Sequence, residues 1–230
     1  MRRFYKAVTV QPAAGHQVLL DGRPVRTPAK KPLDLPTAAL AAAVAEEWAA
    51  QGEEIRPQTM PLTQIACTAL DLVCERREAV IEELADFAGT ELLCYRADRP
   101  RDLVERQQQV WQPLLDWAAL AHDASLRVTS GVVAVEQSSA ALRALRQAVA
   151  GHDDMALSAL AAAVRATGSL VIGLALAAGR LGAEDAFEAA ELDESYSLEQ
   201  WGDDKEAQFR RDALKAELAA TRRFFDLLAA

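Results

Sequence analysis

The spacing of hydrophobic positions changes near residue 36. Before that point, apolar residues alternate loosely with polar ones, and the pair Asp21-Gly22 stands between two such runs. Alternation is typical of strands, and an Asp-Gly pair between strands is a strong signal for a two-residue hairpin turn. Four prolines between residues 24 and 36 exclude a long helix there. The pattern predicts a small β domain over residues 1–35.

The rest of the chain repeats its apolar positions at helical spacing. The first predicted helix has Thr37 as its N-cap, carries Leu40, Val44 and Trp48 on one face, and ends before Gly52. We interpret Trp48 as a structural residue that is buried between the β domain and the helices, because a tryptophan that completes an apolar stripe is most often part of a core.

Further helices are predicted from caps and stripes. One has Thr59 as its N-cap, and another is interrupted or begins afresh near Pro113. A last helix over residues 203–228 places these apolar residues on one seam: Ala207, Leu214, Leu218, Thr221, Phe225 and Leu228. Residues 36–230 therefore form the second, helical domain. The expected fold class is α+β, mostly α, with the β domain packed on the helical one because it is too small to bury a core alone.

The most acidic stretch, residues 183–206, has ten carboxylates against one lysine. Read as a single helix, it has an apolar stripe made of Phe187, Ala190, Leu198 and Trp201. Its solvated face consists of Glu184, Glu188, Glu191 and Glu199. Glu194 falls within the stripe, where a carboxylate needs water, a partner or a proton. Two interpretations remain open: Glu194 reaches solvent or an internal arginine, or it is held for a binding partner.

The net charge of −9 and the pI near 4.9 argue against nucleic acid or an anionic membrane as the main partner. The charge is uneven, since residues 1–31 carry a net +6 and the remainder −15. The chain can therefore present two different electrostatic faces to a protein partner. No stretch predicts membrane insertion, because the most apolar run, residues 166–179, is shorter than a bilayer span.

Residues for catalysis or metal binding form no recognisable motif. We interpret Cys67, Cys74 and Cys94 as small buried apolar residues of a reducing compartment, and expect no metal. The three histidines fall in loops or at the ends of elements. Phosphate-cradling glycine loops and a serine elbow are absent. The N-terminus has neither the apolar core of a secretory signal nor a long presequence. These observations favour a binding protein over an enzyme.

Seven segments in a fixed order resemble one known family. They are RFYKAVTV, LDGRPVRTPAKKPLDLPT, LAxAVAxEWxxQ from Leu40 to Gln51, IRPQTMPLTQIACTALD, LLCYRA, WQPLLDW and LDESYSLEQWGDDKEA. Their order and spacing resemble the assembly chaperone family of the F-type ATP synthase that acts on the alpha subunit of the catalytic head. The resemblance extends from Arg3 to about Ala207.

The resemblance implies a chaperone without catalytic activity or cofactor. Family members bind the unassembled alpha subunit and shield its interface until the beta subunit takes that place. They have a small β domain followed by a larger helical domain. We expect a monomer in the bacterial cytoplasm, or in the mitochondrial matrix if the source is eukaryotic.

The resemblance also implies partner-binding residues in the acidic stretch. The Asp-Glu pair and the following tryptophan of the family fall on Asp193, Glu194 and Trp201. Asp203 and Glu206 complete the acidic surface offered to arginines of the client. Residues 195–197, Ser-Tyr-Ser, depart from the family pattern beside this pair. The rival hypotheses are an enzyme that uses Glu194 as an acid or base, and a scaffold subunit that stays in its complex.

Overall fold

The structure is a computed structural model, and it describes residues 1–131, 134–202 and 205–230. The α-helices are α1 Ala38–Ala49, α2 Pro61–Thr68, α3 Cys74–Asp86, α4 Arg101–His122, α5 Ser139–Ala150, α6 Asp154–Thr167, α7 Leu170–Ala177, α8 Ala183–Ala190, α9 Leu192–Trp201 and α10 Lys205–Leu228. The strands are β1 Val8–Pro12, β2 His16–Leu20, β3 Arg23–Pro24, β4 Asp34–Leu35, β5 Tyr95–Arg96 and β6 Thr129–Ser130. The α+β, mostly α, fold class is confirmed.

The N-terminal sheet is antiparallel and is centred on β2. Strand β1 pairs with β2 along its whole length, and β3 and β4 also pair with β2. The predicted hairpin turn lies between β2 and β3, where Asp21 and Gly22 have φ values of 48° and 79°. Two successive positive φ values are what a tight hairpin turn of type I′ requires, and Asp-Gly supplies them at low cost.

Internal contacts divide the chain into two compact units. The first unit comprises Met1–Arg77, Asp153–Ala159 and Ala220–Ala230, and the second comprises Glu78–His152 and Leu160–Ala219. The composition change near residue 36 marks the end of the N-terminal strands within the first unit. As a domain boundary, the division between residues 35 and 36 stays a prediction.

In the first unit, the sheet and α1 bury one apolar core. Thr37 caps α1 as predicted, with its hydroxyl accepting from the Leu40 amide at 3.1 Å. The fully buried leucines of this unit include Leu33, Leu35, Leu40 and Leu62. Trp48 is half-buried, and its ring packs edge-on against Tyr5 with centroids 5.8 Å apart.

The predicted cap of α2 is wrong. Met60 precedes the helix, and neither Thr59 nor Met60 caps it with a side chain. The carboxylate of Glu47, on α1, instead accepts from the amides of Leu62 and Thr63, both at 2.8 Å. This carboxylate satisfies amide groups that a helix leaves unpaired at its N-terminus. Burial raises the pKa of Glu47, while these hydrogen bonds oppose the rise.

In the second unit, α4 and α7 lie within the same core. The expected interruption near Pro113 is wrong, because α4 runs unbroken through it. The apolar residues on both sides of the proline are buried: Trp111, Leu114, Leu115 and Ala118. We infer that this packing outweighs the hydrogen bond that proline removes. Helix α7 is buried along nearly its whole length, and Ser169 caps it.

The cysteines only partly follow the prediction. Cys94 is buried and Cys67 is half-buried, but Cys74 is exposed. Residues 69–73 are π-helical, and a wider turn shifts the register of the residues that follow. A regular helical spacing from Cys67 to Cys74 therefore does not hold.

Candidate functional site

The acidic stretch forms two helices rather than one. Helix α8 ends at Ala190 and α9 begins at Leu192, with Glu191 between them at φ −102° and ψ 19°. A continuous helical reading across Glu191 assigns the following residues to the wrong faces. The predicted single stripe is therefore wrong: Phe187 is buried, but Trp201 is exposed.

Glu191 is the buried carboxylate of this region. Its two oxygens accept from the Arg210 guanidinium at 3.0 and 2.8 Å, and Arg211 donates at 3.0 Å. Paired guanidinium–carboxylate contacts of this kind are strong and directional. The hydrogen bond to Glu191 raises the pKa of Arg210. Glu191 was assigned to the solvated face, and that assignment is wrong because two arginines of α10 draw it inward.

Glu194 and Asp193 lie on the exposed side of α9. The Glu194 side chain is 46% exposed, and one of its oxygens is 3.8 Å from an Arg210 nitrogen. Asp193 accepts from the amide of Gln107 at 2.7 Å, and Gln107 is itself buried. The structure thus fixes the position of Asp193 and leaves Glu194 largely accessible to solvent.

Two aromatic side chains, one at the end of α9 and one near the beginning of α10, are largely exposed. Trp201 is 89% exposed at the end of α9, and Phe209 is 77% exposed in α10. Gly202 follows Trp201 with φ 88°, a conformation in which a side chain would be strained. Glu206 is also exposed. We name the five exposed residues Asp193, Glu194, Trp201, Glu206 and Phe209 the α9–α10 surface.

The α9–α10 surface does not coincide with the predicted set of partner-binding residues. Asp203 lies outside the described residues, and Phe209 was missed. A signal for Phe209 was present, because it lies two residues after Ala207 and five before Leu214, both on the predicted seam. That spacing turns Phe209 away from the seam, so an aromatic residue occupies a polar face.

A cleft of about 390 Å³ lies on the second unit, and Glu194 does not line it. Its lining includes the Phe187 ring, with the Arg211 guanidinium 4.8 Å and the Lys215 ammonium 4.5 Å from the ring centroid. Arg106 at its edge binds both oxygens of Glu199, at 2.9 and 2.7 Å. The cleft's arginines are therefore engaged by carboxylates of the same unit.

Glu91 is a second carboxylate inside the second unit. It is fully buried and accepts from the Ser169 hydroxyl and from the amides of Leu170 and Val171 at 3.0 and 3.2 Å. Burial raises its pKa to about 6, while these hydrogen bonds oppose the rise. Glu91 caps the N-terminus of α7 together with Ser169, so we assign it a structural role.

The described part of the chain offers neither a metal-binding cluster nor a membrane-spanning helix. In residues 1–131, 134–202 and 205–230, no three His, Cys, Asp or Glu side chains are grouped so that they could hold a metal ion. Within the same ranges, no helix is both long and apolar enough to cross a membrane.

The fold and the α9–α10 surface together define a mostly helical protein with exposed aromatic and acidic side chains on its second unit. A sequence model of the ATP12 chaperone protein family matches residues 2–119. The mitochondrial Atp12 protein of Schizosaccharomyces pombe is 24% identical over 234 residues, which is 96% of this chain and 80% of that protein.

Solved structures extend this similarity over the whole chain. Atp12 from Paracoccus denitrificans is 45% identical with a TM-score of 0.93, over 99% of this chain and 98% of that one. A protein from Agrobacterium tumefaciens described as a candidate chaperone is 40% identical with a TM-score of 0.94, over 99% and 86%. The chain belongs to the ATP12 chaperone family, and the resemblance to ATP synthase assembly chaperones is confirmed.

Proposed function

We propose that this chaperone binds the unassembled alpha subunit of the F-type ATP synthase catalytic head. It shields an interface of that subunit until the beta subunit takes its place. A subunit destined for a ring exposes apolar surface before assembly and can associate wrongly with itself. A chaperone for it needs a complementary surface and reversible binding rather than chemistry. We propose that it acts as a monomer without a cofactor, in a bacterial cytoplasm or, in a eukaryote, the mitochondrial matrix.

The observation that carries this proposal is the exposure of Trp201 within a chain of this family. Tryptophan is enriched among residues that dominate binding energy, and a soluble protein gains nothing in folding from a tryptophan in water. The carboxylates of Glu194 and Glu206 add charge that favours a client surface bearing arginine or lysine. Asp203, which is adjacent in sequence, is part of the same proposal.

The acid–base alternative for Glu194 has weaker support. A general base needs a concave site in which a second polar group is aimed at the reacting atom. Glu194 is nearly half exposed, its close charged contact is Arg210, and the cleft of the second unit does not include it. We therefore propose a binding role for Glu194 and no catalytic activity for the chain.

Co-purification of a bacterial alpha subunit with the chaperone tests the function. We expect wild-type chaperone to retain the free alpha subunit and not the finished synthase. Trp201→Ala is expected to weaken retention by about 2 kcal/mol with an unchanged melting temperature, because it removes exposed contact area at a binding centre.

Leu120→Ala is the matched control for this experiment. Leu120 is 87% exposed on α4 of the same unit, outside the α9–α10 surface. Loss of an equally exposed apolar side chain there is expected to leave retention unchanged. Failure of the wild-type protein to retain the alpha subunit contradicts the function, whereas equal retention by Trp201→Ala contradicts only the assigned surface.

A further inference from the structure

Strand β1 is an open edge of the N-terminal sheet. Among the described residues, β1 pairs with β2 alone, in an unbroken register from Val8 opposite Leu20 to Pro12 opposite His16. Four of the five β1 residues are exposed. An edge strand of this kind carries a row of backbone groups that can pair with a further strand.

The register identifies which backbone groups face outward. The Asp21 amide donates to the Ala7 carbonyl at 3.0 Å, so these two residues form a hydrogen-bonded pair. Hydrogen-bonded and non-hydrogen-bonded pairs alternate along an antiparallel ladder. Val8 and Val10 therefore direct their N–H and C=O groups away from β2. A hydrogen bond on the other side of β2 supports this assignment. Val18, which lies opposite Val10, directs its carbonyl away from β1 and accepts from the Val25 amide at 2.9 Å.

The middle of β1 has none of the features by which proteins usually protect an edge. Prolines, charged side chains and bulges block unwanted strand pairing. Pro12 and Lys6 stand at the two ends, but Thr9, Val10 and Gln11 are uncharged and pair without a bulge. The outward groups of Val8 and Val10 are thus accessible to an added strand.

The charges around this edge select an acidic partner. Lys6 lies two residues before β1, and residues 1–20 contain no carboxylate, whereas the Arg3 guanidinium donates to the carbonyls of Ala49 and Gln51. The first carboxylate, Asp21, accepts from the backbone amides of Lys6 and Ala7, at 3.1 and 2.8 Å. Phe4 and Val10 are exposed and supply apolar contact area. An extended segment with acidic and apolar side chains complements this edge.

We propose that β1 is a docking edge for an extended acidic segment of the alpha subunit, which adds to the sheet as a further strand. The identity of the client in this proposal rests on the proposed function. Main-chain hydrogen bonds to Val8 and Val10 supply affinity with little dependence on sequence, and Lys6 favours the acidic side chains. The edge belongs to the first unit, whereas the α9–α10 surface belongs to the second.

Hydrogen exchange with purified alpha subunit tests the proposal on the intact chaperone. We expect the amides of Val8 and Val10 to exchange more slowly when the alpha subunit is bound, because an added strand takes up their N–H groups. Exchange at Thr9, whose amide faces β2, is the internal reference and is expected to change little.

Val10→Pro and Val10→Ala form the matched pair of variants. Proline removes the outward N–H of residue 10 and blocks a further strand, but spares the β1–β2 ladder. We expect Val10→Pro to weaken retention of the alpha subunit about tenfold and Val10→Ala to stay close to wild type. Lys6→Glu is expected to weaken retention too and to reduce its sensitivity to salt.

Each outcome supports or overturns the proposal. If the alpha subunit binds but leaves exchange at Val8 and Val10 unchanged, the docking edge is wrong and the proposed function stands. This holds even if Val10→Pro fails to fold, because the exchange measurement uses wild-type protein. If the wild type does not bind, the proposed function itself fails. Protection that grows with chaperone concentration alone identifies a second copy as the occupant and overturns the proposal.

Discussion

The two units use the same capping device in different surroundings. In the first unit, Glu47 reaches from α1 to the amides that begin α2, and it is half-buried. In the second, Glu91 reaches the amides that begin α7, and it is fully buried. The same hydrogen bonds therefore carry a larger desolvation penalty in the second unit, where a carboxylate has no access to water.

The two units also differ in net charge, since the first is nearly neutral and the second is strongly acidic. The first unit carries 12 Lys and Arg against 11 Asp and Glu, and the second carries 13 against 23. Some acidic residues of the second unit are internal, since Glu91 and Glu191 are buried. Acidic composition therefore does not by itself locate a binding surface. Only those carboxylates that the fold leaves exposed, such as Glu194, are available to a partner.

Removal of the two capping carboxylates gives the largest expected difference between the units. We expect Glu91→Ala to lower the free energy of unfolding by about 3–5 kcal/mol, because it leaves buried donors at the start of α7 without an acceptor. Glu47→Ala is the matched variant in the first unit, with an expected loss of about 1–2 kcal/mol. Chemical denaturation of both variants measures the difference, and equal losses would contradict the role given to burial.

Glu191 and Glu194 provide the next comparison, within the second unit. We expect Glu191→Gln to cost about 2–3 kcal/mol of stability, less than a fully buried pair because Arg210 is half exposed. Glu194→Gln is expected to leave the melting temperature unchanged and to weaken retention of the alpha subunit by about 2 kcal/mol. Melting and co-purification of both variants test this assignment. If Glu194→Gln melts early and retains its client, Glu194 is the structural carboxylate.

The pH dependence of stability gives the smallest expected effect. The folded-state pKa of Glu91, about 6, lies above its ordinary value of 4.5. The folded protein thus holds this proton more tightly than the unfolded chain does. The stabilisation is complete below pH 4.5 and is lost as the pH rises through 6, by about 2 kcal/mol.

The control for this pH effect is Glu91→Gln, which cannot titrate at this position. We expect the difference in unfolding free energy between wild type and Glu91→Gln to change between pH 4.5 and 7, with wild type losing stability relative to the variant. A difference that stays constant over this range would mean that the environment of Glu91 does not raise its pKa.

Features set by neighbouring residues were predictable from the sequence. The Asp21-Gly22 turn and the cap at Thr37 were placed correctly because each depends on residues within a few positions. The family resemblance is visible in the sequence for a related reason, since the family motifs are short and keep their order. The α+β class followed from the change of hydrophobic spacing.

Contacts between distant residues were not predictable. Glu91 caps an amide 79 residues away, and Glu47 caps one 15 residues away in another helix. The acidic stretch was read as one helix because the arginines that hold Glu191 lie 19 and 20 residues later. No local pattern distinguishes Glu191 from Glu194. The fold alone decides which carboxylate is buried and which is exposed.

The exposure of Trp201 has an optical consequence. The chain has four tryptophans, and Trp111 is at the other extreme, buried with its indole N–H donating to the Ala189 carbonyl at 2.8 Å. An indole in water fluoresces at longer wavelength than one in apolar surroundings and is readily quenched by dissolved iodide. Trp201 therefore gives the free protein a red-shifted, quencher-sensitive component of its emission. A partner that covers the end of α9 is expected to shift this emission to shorter wavelength and to protect it from the quencher.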